Sequence, residues 1–249
     1  MRSKNGAVIL AAGKGTRMKS ELPKVLCEVL GKPMIDYVID SAKKSCDDIC
    51  VVIGYKAQVL RAHLADEIKT VIQSKQLGTG HAVMQADEFI KAHTGGNILI
   101  VCGDAPFMDE KTVANALKLH ESEGNAVTVI TAKLREPASY GRIVKKDGKI
   151  SEIVEYKDAS EEVRKINEVN SGAYWFKADE LVRLLGKITD DNAQNEYYLT
   201  DTVKIAIEEG LSVNSFAVEN EYVILGANDP KQLEELNKRA EEIFSAGGC

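Results

Sequence analysis

Ala7-Val8-Ile9-Leu10-Ala11-Ala12-Gly13-Lys14-Gly15-Thr16-Arg17-Met18 is the stretch from which the fold is read. Its first six residues are apolar throughout, as a strand buried on both faces of a parallel sheet must be. The chain then enters a loop with two glycines, a hydroxyl and two cations. Ligands bind where the strands of such a sheet end, and glycines let backbone N–H groups close on phosphate oxygens. Phosphate is the natural ligand for this loop. Two common phosphate motifs fail by pattern: Met18 stands where a dinucleotide fingerprint needs its third glycine, and the Gly-Lys-Ser/Thr of a Walker loop is absent. Pro23-Lys24 adds a further cation at the same sheet edge. Lysines beside glycine loops are also often plain surface charges, so this segment alone leaves both readings open.

Working outward, short β-branched runs alternate with amphipathic stretches in units of about 30 residues, the signature of βαβ repeats. Helices are expected from Pro33 to Ala42, Ala57 to Leu64, Gly80 to Ile90 and Asp109 to Glu123, and strands at Asp48–Ile53, Lys69–Ile72 and Asn97–Cys102. This pattern predicts an α/β fold with a mainly parallel sheet flanked by helices. The texture then becomes strand-rich at Ala126–Lys133, Gly141–Lys146, Lys149–Glu155 and Val169–Phe176. Lys146-Asp147-Gly148-Lys149 predicts a hairpin turn, and the group an antiparallel annex. Helices at Ala178–Leu185 and Tyr198–Glu209, a strand at Leu211–Val218 and a helix at Asp229–Phe244 follow.

The 249 residues suit one large domain, or one domain with an appended subdomain. Thirty-two Lys and Arg against thirty-eight Asp and Glu give a net charge of −6, which argues against an extended basic face for nucleic acid. The longest apolar runs, such as Ala7–Ala12 and Ile98–Cys102, are too short to span a bilayer, and no signal peptide is read at the start. A cytoplasmic location is expected, with no membrane or nucleic-acid partner. Five cysteines at 27, 46, 50, 102 and 249 lack zinc-ribbon or disulfide-framework spacing and are read as reduced. The Gly247-Gly248-Cys249 ending is read as a frayed tail.

Leu10 to Met18 followed by Leu22-Pro23-Lys24 resembles the signature of sugar-phosphate nucleotidyltransferases. The likeness continues through Gln73, Gln76-Leu77-Gly78-Thr79-Gly80-His81-Ala82, Gly103-Asp104-Ala105-Pro106, Tyr140-Gly141-Arg142-Ile143, Ile153-Val154-Glu155, Asn170-Ser171-Gly172, Asn195 to Asp201 and Gly226 to Asp229. Within that family these blocks are similar to the bacterial uridyltransferase domains that act on N-acetylglucosamine 1-phosphate, over essentially the whole chain. The resemblance implies a nucleotide-diphospho-sugar transferase fold, Rossmann-like, with the annex at roughly 133–176 binding sugar. It implies a nucleotidyltransferase domain at 1–228 and a C-terminal helix and tail at 229–249. No hexapeptide repeat appears, so the acetyltransferase β-helix that follows this domain in such enzymes is expected to be absent, and the oligomeric state it would set stays open.

The implied reaction joins UTP and N-acetylglucosamine 1-phosphate, with Mg²⁺ as cofactor, to give UDP-N-acetylglucosamine and pyrophosphate. The resemblance makes Arg17, Lys24 and Asp104 catalytic, and assigns the nucleotide to Leu10, Ala11, Ala12, Gly13, Gly15, Thr16, Lys24, Gln73, Gly78 and Thr79. It assigns the sugar to Cys102, Gly103, Asp104, Gly141, Glu155, Asn170 and Asn228, and the metal to Asp104 and Asn228. Turn or helix capping competes with the metal role at both Asp104 and Asn228. His81 is read as structural, while Tyr140, Glu196, Tyr197 and Thr200 line or support the sugar pocket or simply pack. Cys102 replaces a tyrosine of some relatives, and Asn195 a glycine of the usual segment. Another base or sugar, or a catalytically silent sugar-nucleotide sensor, remains an alternative.

Overall fold

The computed structural model describes residues 4–246; Met1 to Ser3 and the Gly247-Gly248-Cys249 ending lie outside the described residues. Strand β1 (Gly6–Ala11) is the apolar run quoted above, and its residues are almost wholly buried. A 3-10 turn over Thr16–Met18 and another over Lys24–Leu26 lead into a small ribbon, β2 (Glu28–Val29) and β3 (Lys32–Pro33). Helix α1 (Met34–Ala42) starts after Pro33 and buries Met34, Ile35, Val38, Ile39 and Ala42 on one face, the spacing that helical periodicity requires. Then come β4 (Asp48–Ile53), α2 (Ala57–His63), β5 (Lys69–Ile72), α3 (Thr79–Met84), α4 (Asp87–Lys91), β6 (Asn97–Cys102) and α5 (Glu110–Ser122).

The helix expected over Gly80–Ile90 is therefore two helices. Gln85 Nε2 donates to the His81 carbonyl at 2.9 Å, supplying a side-chain partner where the ladder breaks, and Asp87 and Glu88 stabilise the new N-terminus. The second half adds β7 (Val127–Lys133), β8 (Arg142–Lys146), β9 (Lys149–Val154), α6 (Glu161–Arg164), β10 (Glu168–Lys177), α7 (Ala178–Leu185), α8 (Asp201–Glu208), β11 (Val213–Ala217) and α9 (Pro230–Ala246). Asp147 and Gly148 have φ of 51° and 76°, as a primed Asp-Gly hairpin turn needs. Helix α8 begins three residues later than the pattern suggests, because Tyr198–Thr200 form a turn held by backbone bonds to residues 201–203.

One sheet runs in the order β11-β7-β10-β6-β1-β4-β5, with β8 and β9 attached at β10. β5, β4, β1 and β6 are mutually parallel, while β10 is antiparallel to both β6 and β7. Val169–Phe176, read from sequence with the annex, lies instead within the main sheet. Only the β8–β9 hairpin stands off it, tied on at Val169 and Arg142. One core covers each face of the sheet. Trp175 is fully buried and its indole N–H donates to the Val113 carbonyl at 3.0 Å, pinning α5 to the sheet; truncation to Ala should cost about 3–5 kcal/mol.

A third cluster joins Met18, Cys27, Val29, Met34, Phe107 and Ala227 to Leu236 and Ala240 of α9. The C-terminal helix is thus packed onto the loops that follow β1 and β6. Among the described residues, no helix is long and apolar enough to cross a membrane, and Cys27, Cys46, Cys50 and Cys102 are unpaired thiols.

Candidate active site

From β1 the chain crosses to β4 on one side, and from β5 it returns to β6 on the other. The crevice outside the carboxyl ends of β1 and β6 is therefore a topological switch point, where α/β sheets take their ligands. Backbone bonds draw these ends together: Gly103 N donates to Leu10 O at 2.9 Å, Tyr55 N to Ala12 O at 3.1 Å and Gln73 N to Ile53 O at 2.8 Å. A Cβ at Gly54 would stand 2.7 Å from the Ala12 carbonyl oxygen and 3.0 Å from that of Gln73, so only glycine permits this convergence. Gly54 is a supporting residue that the motif reading missed, although a glycine directly after a buried strand was its signal.

The loop after β1 is anchored by Met18, which is buried in the third cluster, while Gly13, Lys14, Thr16 and Arg17 are exposed. Gly15, at φ 55°, rests against the Lys24 stem, where an added Cβ would meet the lysine Cβ at 2.8 Å. Arg17 and Lys14 make no hydrogen bond or ion pair among the described residues, leaving both cations available to an anion.

Lys24 Nζ donates to Asp104 Oδ2 and, at 3.0 Å, to Asn228 Oδ1. The side chains of Lys24 and Asp104 are only 18% and 19% exposed, so the pair is substantially screened from water. Capping does not occupy either oxygen donor. Asp229 Oδ1 accepts from Gln232 N at 2.8 Å and so caps α9, which leaves the Asn228 amide oxygen free to turn toward Lys24. A Cβ at Gly226 would lie 2.7 Å from the Asp104 carbonyl oxygen, so these two loops meet backbone to backbone. No group of three or more His, Cys, Asp or Glu side chains converges on a metal position among the described residues. A metal here would use one carboxylate and one amide.

Gln73 is buried, and its amide nitrogen donates to Gly78 O and to His81 Nδ1, each at 3.0 Å. The Gly78 carbonyl fixes the amide orientation, because the reverse would oppose two acceptors. Its oxygen is left to face a ligand. In the structure His81 holds the Gln73 amide. Gly78 has φ 103°, and a Cβ there would meet the Tyr197 carbonyl oxygen at 2.6 Å. Tyr197 N donates to Leu77 O, Gly80 N to Tyr197 O and Leu199 N to Thr79 Oγ1, at 2.8, 2.8 and 3.1 Å. Thr79 thus joins this loop to the Asn195–Thr200 turn. Asn195 itself has φ 52°, the left-handed conformation that glycine adopts freely and asparagine tolerates.

A hollow of about 60 Å³ is lined by Leu10, Thr79, Cys102, Glu155, Asn170 and Thr200, among others. Gly141 borders it, since a Cβ there would stand 3.5 Å from Glu155 Oε2 and 3.6 Å from Asn170 Cβ. Thr200 Oγ1 donates to Glu155 Oε1 at 3.1 Å, but burial, helped by Asp201, Asp158 and Glu196, holds this carboxyl above the usual carboxylate range. Asn170 Nδ2 donates to Tyr174 OH at 2.6 Å, and its Oδ1 accepts from Gly172 N at 3.1 Å. The β10–β7 register shifts between Asn170 and Tyr174, so a bulge aims Asn170 into the hollow. Tyr174 went unnoticed in the sequence, because the bulge between it and Asn170 is not visible in regular strand alternation. Burial pushes the Cys102 thiol up to about 12, so it stays protonated, and Sγ lies 3.8 Å from Gly172 O. A larger hollow of about 390 Å³, between α1 and the segments 106–110 and 220–223, contains none of these residues.

Fold and sheet edge together define the class: an α/β transferase of the nucleotide-diphospho-sugar type, with cations gathered where β1 and β6 end. The chain belongs to the nucleotidyl transferase family, whose model matches residues 6–223. It is 44% identical over 234 residues to the bifunctional protein GlmU of Acetivibrio thermocellus, covering 93% of this chain and 50% of that protein. Identity to GlmU of Clostridioides difficile is 43% over 240 residues (96% and 51% covered), and to that of Bacillus subtilis 41% over 241 residues (96% and 53%). The chain spans about half the length of the curated relatives it matches. A Bacillus anthracis crystal structure described as a glucose-1-phosphate thymidylyltransferase in complex with a sucrose superposes with a TM-score of 0.79 at 18% identity, covering 96% of both chains. That likeness establishes the fold alone.

Proposed function

We infer that the chain is a uridyltransferase that makes UDP-N-acetylglucosamine and pyrophosphate from UTP and N-acetylglucosamine 1-phosphate. The observation that carries this reading is the Lys24 ammonium held by Asn228 and by Asp104, the latter two residues beyond Cys102, which lines the hollow shared by Glu155 and Asn170. Identities of 41–45% to GlmU proteins add their support.

An oxygen of the sugar phosphate forms a bond to the α-phosphorus of UTP in line, while the bond from that phosphorus to the β-bridging oxygen breaks and its electron pair leaves with pyrophosphate. No protein nucleophile is needed. The protein must bring two polyanions together and neutralise them. The Gly13–Thr16 backbone wraps the phosphates, Arg17 holds the triphosphate, and Lys24 meets the α-phosphate. Gln73 Oε1 accepts the uracil N3–H and the Gly78 N–H donates to a uracil carbonyl, with Leu10, Ala11, Ala12 and Gly13 beneath the nucleotide. Cytosine carries no hydrogen at N3 and would leave the glutamine oxygen unpaired. Gly103, Gly141, Glu155 and Asn170 take the sugar hydroxyls and amide, and the hairpin that Gly141 and Glu155 flank is the sugar-binding part of the domain.

Asp104 and Asn228 fit a Mg²⁺ site, because their hard oxygens already converge on one cation, the Lys24 ammonium, and Mg²⁺ keeps most of its shell for water and phosphate. When bound, Mg²⁺ would supply further neutralisation of phosphate charge. All substrates are soluble, which fits a cytoplasmic enzyme with no nucleic-acid or membrane partner. The test is to incubate the protein with each of the four nucleoside triphosphates, Mg²⁺ and either N-acetylglucosamine 1-phosphate or glucose 1-phosphate, and follow pyrophosphate. Release with UTP above the other three is expected; no release with any would overturn the enzyme reading, and preference for another triphosphate or for glucose 1-phosphate the substrate assignment.

A further inference from the structure

Two oxygens, from residues 80 and 204 positions away in the chain, close on one lysine ammonium. Both are donors of the kind a divalent cation takes, and both are on loops whose separation is set by backbone contact at Gly226 rather than by the lysine. The base of Lys24 is equally fixed. Val25 and Leu26 are buried beside it and Gly15 lies against its Cβ, so motion is left to the outer stem and the ammonium. Like charges at contact distance in a partly dehydrated site repel strongly, so an ammonium and a divalent cation cannot share these oxygens.

We propose that Lys24 is a resident counter-ion: in the nucleotide-free chain it fills the cation position of Asp104 and Asn228, and it must swing out before a divalent cation can enter. The released ammonium is then the one that meets the α-phosphate, and for this last part alone the proposal rests on the uridyltransferase reading. Two consequences follow from the exclusion. Divalent cations bind weakly to the nucleotide-free chain, and a triphosphate that gives Lys24 a new anionic partner tightens them, with the reciprocal effect on triphosphate binding.

The test uses Mn²⁺ alone, without nucleotide, followed by the electron paramagnetic resonance of the free ion in the wild-type chain and in Lys24→Ala, Lys24→Met, Lys14→Ala and Lys24→Met/Asp104→Ala. Both Lys24 variants are expected to bind Mn²⁺ at least about fivefold more tightly than wild type, the low end of ordinary coupling between two sites. Lys14→Ala removes one exposed charge from the neighbouring loop and should gain clearly less, and the double variant should lose the gain. In the unmutated protein, an ammonium ¹H–¹⁵N resonance that is missing from Lys24→Met should shift or vanish on adding Mg²⁺. Equal Mn²⁺ affinity in wild type and both Lys24 variants, an equal gain in Lys14→Ala, or a Lys24 resonance unmoved at saturating Mg²⁺ overturns the proposal, whether or not pyrophosphate is released. The expected Mn²⁺ series without pyrophosphate release would instead remove the uridyltransferase reading and leave the counter-ion standing.

Discussion

Lys24 Nζ lies 3.0 Å from Asn228 Oδ1, although the two residues are 204 positions apart. The contact exists because α9 is packed onto the loops after β1 and β6, through Leu236 and Ala240 against Met18, Val29, Met34 and Phe107. The C-terminal helix therefore belongs to the site.

Lys24→Ala and Asp104→Ala should each lower kcat by about 10²–10³, the usual cost of removing one preorganised group from developing charge. Both variants should remain folded but melt somewhat lower, since each leaves one partly buried charge without its partner. Steady-state kinetics beside thermal melts checks both halves, and near-normal turnover in either variant would contradict the role given to that residue.

Leu236→Ala should destabilise the fold by about 2–5 kcal/mol, as buried leucine truncations do. If α9 positions Asn228, activity measured well below the melting transition should also fall, and raising the Mg²⁺ concentration should recover part of it. Loss of stability with unchanged Mg²⁺ dependence would make the helix a packing element only.

His81→Ala removes the acceptor that holds one amide hydrogen of Gln73. A buried group left without its partner costs about 1–3 kcal/mol, so preference for UTP over CTP should drop roughly tenfold, with kcat for UTP changing less than KM. Competition assays with both nucleotides read this directly.

Burial raises the Glu155 carboxyl above its ordinary 4.5, and no cation is among the causes. Between that ordinary value and the raised one the folded chain holds more protons than the unfolded chain, so this group's contribution to stability falls as pH rises through the window. Glu155→Gln should therefore melt higher than wild type at neutral pH, with the difference shrinking below about pH 4.5 as both states of the wild type become protonated. The same change should raise KM for the sugar phosphate. A variant less stable than wild type at neutral pH would contradict the environment described for this carboxyl.

Much of the fold was legible because the central strands of the first half, β1, β4 and β6, are largely continuous apolar runs bounded by turn residues. Asp48–Ile53, Lys69–Ile72 and Asn97–Cys102 fall where the pattern puts them. What stayed hidden depends on tertiary contact. The break in Gly80–Ile90 falls where a side chain, Gln85, reaches a carbonyl a turn away, and apolar periodicity does not register it. The position of β10 inside the main sheet is a pairing choice that Val169–Phe176 cannot announce alone. At the site, the loop from Leu10 to Met18 was conspicuous, but Tyr174 and Gly54 act through what they hold or leave room for. For Asn228 the sequence left capping in competition with the metal role that the resemblance implies; the structure passes the capping to Asp229.

The measurement that bears most directly on the central claim is ³¹P NMR of the protein mixed with UTP, N-acetylglucosamine 1-phosphate and Mg²⁺. Uridyl transfer predicts that the sugar-phosphate and UTP resonances decay together into a coupled pair of diphosphate-diester signals, with one pyrophosphate per product. Orthophosphate as the only new signal, or a spectrum unchanged over hours at substrate-level enzyme, would contradict it.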